Sequence, residues 1–72
     1  MPDKRIFVRS SELRWVRFDA KTSALTVEFV GGGIYRYQPV PQAKFDAMLA
    51  AESRGRYFNA NIREHYPFVQ VS

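Results

Sequence analysis

The sequence predicts an α+β domain, a small antiparallel sheet of three to four strands with two short C-terminal helices packed on one face. Three observations predict it. Apolar and polar residues alternate through 14–19 and 24–29, which is the period of half-buried strands. Three consecutive glycines, Gly31, Gly32 and Gly33, stand where a tight reversal is needed and supply positive φ without steric cost. Near Pro39 and Pro41 the hydrophobic period then changes to the i, i+3, i+4 spacing of an amphipathic helix.

Residues 5–9 form a short candidate strand, the fourth member of the sheet where it pairs, and Ser10-Ser11-Glu12 reads as a turn. In 14–19, Val16 and Phe18 share one face while Trp15 and Arg17 share the other. Residues 20–23 connect this strand to 24–29, where Leu25, Val27 and Phe29 oppose Thr26 and Glu28. Residues 34–38 form the returning strand, and loop length fixes its register. A three-residue loop places Tyr35 and Tyr37 on the face of Leu25, Val27 and Phe29, with Arg36 beside Thr26 or Glu28; a two-residue loop reverses them. The first arrangement is preferred, because both strands then give apolar bulk to one core.

Pro39 and Pro41 end the sheet, and Pro41 suits the first turn of a helix over about 41–51, where its missing N–H costs nothing. Phe45, Met48 and Leu49 make its apolar stripe. Ser53 is a candidate N-cap for a second helix over about 54–64, with Phe58, Ile62 and His65 on one side and Arg56 and Arg63 on the opposite side. Pro67 stops that helix, and residues 68–71 are either a last extended segment or a disordered end.

Composition narrows the functional classes. The 72 residues form one domain at most, spanning 1–72, and bury too little surface to enclose a deep substrate cavity as well as a core. There is no cysteine, and His65 is the only histidine, so disulfides, structural metal sites and most nucleophile–base pairs have no residues to use. Asp46 and Glu52, six apart, share no helix face for acid–base work. The expectation is a non-catalytic domain without cofactor or metal. No apolar run approaches the ~20 residues of a membrane span, and Lys4 and Arg5 precede only three apolar residues, so the default expectation is a cytoplasmic protein.

Eleven basic residues against seven acidic ones give a net charge of +4. The surplus lies at the two ends, in residues 1–18 and 53–72, and favours an anionic partner. The segment Ser53-Arg54-Gly55-Arg56-Tyr57-Phe58-Asn59 runs against helix preference. It places two arginines and a glycine at the positive end of a helix dipole. One reading is an anion site built from free N–H groups, close backbone approach at Gly55 and guanidinium forks. The other is structural, with Glu52 paired to Arg54 or Arg56 and Gly55 permitting close packing. In the first reading, Arg63, Arg36 and the indole of Trp15 extend the site by charge and by stacking.

Ser10-Ser11, the strand Leu25-Val27-Glu28-Phe29, Tyr35-Arg36-Tyr37 followed by Val40-Pro41, the Ser53–Asn59 segment, Ile62-Arg63 and Tyr66-Pro67 together resemble the KTSC domain. This family takes its name from the C-terminus of some lysyl-tRNA synthetases and also occurs as small stand-alone bacterial proteins. The resemblance covers about residues 5–69. It implies a domain whose suggested role is RNA binding, by its attachment to a synthetase. Arg14, Trp15 and Arg17 replace the small residues and glycine usual there, which makes that strand more basic and more aromatic. The combined expectation is an RNA-binding domain, or one taking another phosphate-bearing partner, in which Arg54, Arg56 and Arg63 contact phosphates and Arg36 and Trp15 assist. The alternative is a protein-interaction or self-association module, including a homodimer.

Overall fold

The computed structural model describes residues 5–72. Its elements are β1 (Ile6–Phe7), β2 (Leu13–Asp19), β3 (Ala24–Phe29), β4 (Ile34–Tyr37), α1 (Gln42–Ala50), α2 (Arg54–Asn61) and β5 (Phe68–Gln70). All five strands join one sheet in the order β1-β2-β3-β4-β5, every neighbouring pair antiparallel. The expectation of three to four strands is therefore corrected to five. The additional strand, β5, forms because Pro67 turns the chain back along β4. Phe68 then packs on Tyr35 and Tyr37, with ring centroids 5.8 and 5.1 Å away.

The β3–β4 register is the one that shares the core between both strands. Leu25 pairs with Tyr37, Thr26 with Arg36 and Val27 with Tyr35. Phe29 N–H donates to the Gly33 carbonyl, so three residues, Val30 to Gly32, make the reversal, and Gly32 and Gly33 adopt φ of 114° and 95°. Tyr37 is fully buried and Tyr35 half-buried, which makes them core residues rather than an open platform.

In β2 a register shift between Leu13 and Trp15 inserts one extra residue. This brings Leu13, 1% exposed, onto the same face as Val16 and Phe18. Both helices cover that face. Phe45 of α1 stacks on Phe18 at 4.8 Å, and Phe58 of α2 meets Phe29 and Tyr37 edge-on at 5.8 and 5.3 Å. Met48, Ile62 and Val40 close the core. The opposite face of the sheet carries no helix.

The helices begin where expected and end earlier. Pro41 caps α1, and the Ser53 side chain accepts a hydrogen bond from Arg56 N–H at the start of α2. α2 stops at Asn61 rather than near 64, because the Phe58 carbonyl accepts from both Ile62 and Arg63 N–H and Ile62 leaves helical geometry with φ −124°. His65 accordingly lies beyond the helix, exposed, where Nε2 donates to the Ala60 carbonyl at 3.0 Å as a C-terminal cap. No helix among the described residues is long and apolar enough to cross a membrane.

Candidate functional site

The helix start that runs against preference is resolved by its neighbours. Arg54 Nε donates to the Leu49 carbonyl at 3.1 Å. Leu49 lies in the last turn of α1, whose carbonyls are unsatisfied and carry the negative end of that helix's dipole. The cation is misplaced for α2 and well placed for α1. Gly55 is buried against the β1–β2 turn: a Cβ there would lie 2.2 Å from Ser10 Oγ and 3.2 Å from Ser10 Cβ. Ser10 Oγ in turn accepts from the N–H groups of Glu12 and Leu13 at 3.0 and 3.3 Å. Asn59 Nδ2 donates to Glu12 Oε1, so two contacts lock the turn onto α2. Among the described residues no ion pair joins Glu52 to Arg54 or Arg56. The packing half of the structural reading holds, with Leu49 rather than Glu52 as the partner.

Arg63 is similarly engaged. Its Nη1 donates to Asn59 Oδ1 at 3.3 Å, and its guanidinium lies 5.3 Å from the centre of the Phe29 ring. Arg56 is exposed on α2, and its guanidinium makes no hydrogen bond or ion pair among the described residues. On the helix side the expected trio therefore consists of two anchored arginines and one open one.

Arg36 and Trp15 lie on the other side of the sheet. Arg36 is exposed and unpaired among the described residues, and it stands directly across from Thr26, which itself pairs with Arg17. Arg17, Thr26 and Arg36 thus form one cross-strand row on the helix-free face, with the two arginines two strand spacings apart, roughly 10 Å. An open groove of about 950 Å³ runs over this row, lined also by Lys21, Gln38 and Asp19. The Asp19 carboxylate accepts from Lys21 N–H at 2.9 Å, and Gln38 Nε2 donates to the Thr22 carbonyl at 2.9 Å, which holds the rim in place.

Trp15, expected as a stacking surface, is corrected to a buried residue with 7% exposure. The guanidinium groups of Arg5 and Arg17 lie over its indole, 5.0 and 5.9 Å from the ring centre. The indole serves as a floor that holds cations in place. Arg36 and Arg17 were placed on this outer face by strand alternation, whereas Lys21 and Gln38 carry no local signal because their position depends on how the turns fold over the sheet.

Burial raises the Tyr37 phenol above its ordinary value of 10.0, partly offset by the Arg63 charge and reinforced by Tyr35. A raised phenol favours the protonated form in the folded state. Its stabilisation is therefore complete below about pH 10 and lost as pH rises through the folded-state value. Thermal melts above pH 10 should show a falling midpoint that is shallower in Tyr37→Phe. A slope identical in the two proteins contradicts this assignment.

The arrangement presents exposed guanidinium groups on both sides of the sheet, Arg56 on α2 and Arg36 on β4. The described residues hold no group of three or more His, Cys, Asp or Glu that could bind a metal ion. The comparisons agree with the motifs. The family model for the KTSC domain matches residues 9–66. An uncharacterized protein of Stutzerimonas stutzeri is 39% identical over 69 residues, covering 94% of this chain and 97% of its own. A lysine–tRNA ligase of Nostoc punctiforme is 34% identical over 62 residues, 86% of this chain but 11% of the ligase. The crystal structure of a KTSC domain protein from Yersinia pestis superposes with a TM-score of 0.92 at 25% identity, covering 99% of this chain and all of the other. Sequence, strand register and three-dimensional match agree that the chain belongs to the KTSC domain family.

Proposed function

We propose that this chain is a non-catalytic nucleic-acid-binding domain whose ligand is RNA, bound on the helix-free face of the sheet. The observation that carries the reading is the row Arg17–Thr26–Arg36 beneath an open groove, because it places two guanidinium groups on a surface with no helix to cover it. The presence of a similar segment in lysine–tRNA ligases supports RNA over DNA as the polymer. On the helix side Arg54 and Arg63 are held within the fold and Arg56 is the exposed cation.

Titration of the protein with RNA at several salt concentrations tests this. Affinity falls steeply with salt, and Arg36→Ala lowers the slope of log K against log salt by about 0.7 for a single strand, one phosphate contact's worth of released counterions. Arg56→Ala and Arg63→Ala are the comparison. A slope reduced by these two, with Arg36→Ala unchanged, moves the interface to α2. The self-association alternative draws on the edge strand β5, where Phe68 and Val69 are 53% and 52% exposed beside an unpaired strand edge. Absence of RNA binding at low salt, together with a mass that doubles with concentration, favours that alternative.

A further inference from the structure

We infer that the ligand is a single strand of RNA, with Phe7 stacked against a base while phosphates lie over Arg17 and Arg36. This rests on the RNA-binding reading and adds to it the form of the RNA and the residue that recognises a base. Phe7 is 72% exposed, the most exposed of the large apolar side chains among the described residues. In a domain with so small a core, an aromatic ring left in water forgoes stabilisation that burial would have given. The alternation of the N-terminal segment accounts for its direction. Ile6 packs against the core, Val8 is 8% exposed within it, and Phe7 between them points to the helix-free face, directly across from Trp15.

Its surroundings fit a nucleotide chain. On one flank is the indole of Trp15 with Arg5 and Arg17 over it, continuing into the groove of Thr26, Arg36 and Lys21. On the other flank is a shallow cleft of about 400 Å³ lined by Phe7 itself with Arg9, Arg54 and Glu52. One exposed ring therefore borders the cationic row on one side and, on the other, a cleft in which Glu52 stands beside Arg9 and the anchored Arg54. Electrostatic attraction alone would serve a duplex equally well, but a duplex keeps its bases stacked inside and presents only phosphates and sugar hydroxyls. A single strand offers an unstacked base with an open π-face. An aromatic side chain flanked by cations contacts that base and its backbone together.

The test uses fluorescence anisotropy with a short labelled oligouridylate and a fully paired RNA duplex of equal length. The single strand binds more tightly than the duplex. Phe7→Ala weakens single-strand binding by roughly tenfold or more, leaves the salt slope unchanged because a neutral side chain releases no counterions, and leaves the duplex affinity unaltered. Phe7→Trp retains binding, and its emission, beyond that of Trp15, is quenched on adding the oligouridylate. The quench keeps the inference testable even where the alanine variant is unstable. Wild-type affinity in Phe7→Ala, equal loss for both RNA forms, or an unquenched Trp variant overturns the stacking role while salt-dependent RNA binding persists. No binding of either RNA at low salt overturns the underlying RNA reading instead.

Discussion

Replacing Gly55 by alanine destabilises the protein, although alanine is the better helix former by up to ~1 kcal/mol. The added methyl would lie 2.2 Å from Ser10 Oγ. A flexible side chain could move away, but Ser10 is short, and its hydroxyl is held by the N–H groups of Glu12 and Leu13. Rotating it leaves two turn N–H groups without their partner, and shifting the α2 backbone strains the neighbouring Asn59–Glu12 contact. Overpacking of this kind costs about 1–3 kcal/mol and the lost hydrogen bonds add to it, so a net loss of about 2 kcal/mol and a fall in Tm of roughly 8–16 °C are expected. Denaturant melts check the size, and a double-mutant cycle with Ser10→Ala checks the cause. In the cycle the two changes couple favourably, because the clashing oxygen is gone in the double variant. Additive effects would show that the clash is not with Ser10.

The same substitution separates fold from function within the family motif. Gly55 and Ser10 meet beside the helices, whereas Arg36, Arg17 and Thr26 occupy the opposite face of the sheet. At a temperature where Gly55→Ala is folded, its RNA affinity should match that of the parent protein. The Ser53–Asn59 segment then has a structural assignment for nearly every residue. Ser53 caps α2, Arg54 satisfies the end of α1, Gly55 admits the turn, Phe58 fills the core and Asn59 binds Glu12.

What could be read from the sequence follows from how local each constraint is. The register of Tyr35-Arg36-Tyr37 was legible because strand parity allows only two outcomes, and only one puts both tyrosines with Leu25 and Val27. The cap at Ser53 and the helix start at Pro41 were legible because both signals are written in adjacent residues, although Pro41 stands at the N-cap position of α1 rather than inside its first turn. β5 was legible only as one of two options for 68–71, since three residues carry no reliable period and become a strand only when β4 offers an edge. The bulge in β2 was also hidden, so Leu13 gave no sign of joining the core. Trp15 was placed on the correct face but was expected to be open. Its indole lies under Arg5, just before β1, as well as under Arg17 from its own strand. The contact between Asn59 and Glu12 spans 47 residues, a pairing that only the folded chain brings together.

Truncating Phe58 to alanine should remove much of the stability of the fold. Phe58 is fully buried at the point where α2 meets the sheet, with its ring against Phe29 on β3 and Tyr37 on β4. A Phe→Ala change in a core costs about 3–5 kcal/mol, from lost transfer energy and the cavity left behind. A chain of 72 residues has a total stability of only roughly 4–11 kcal/mol. No disulfide offsets the loss, since the chain has no cysteine. The consequence extends beyond α2, because Tyr37 loses its edge-on partner and the β1–β2 turn loses the helix that holds Ser10 and Glu12. Near-ultraviolet circular dichroism at 25 °C should show a largely unfolded or fluctuating population for Phe58→Ala. Phe58→Leu keeps most of the volume and should remain folded with a lowered midpoint. A cooperative, native-like melt in the alanine variant would mean that α2 contributes far less to this core than its contacts indicate, and the anchoring assigned to Gly55 and Asn59 would have to be withdrawn with it.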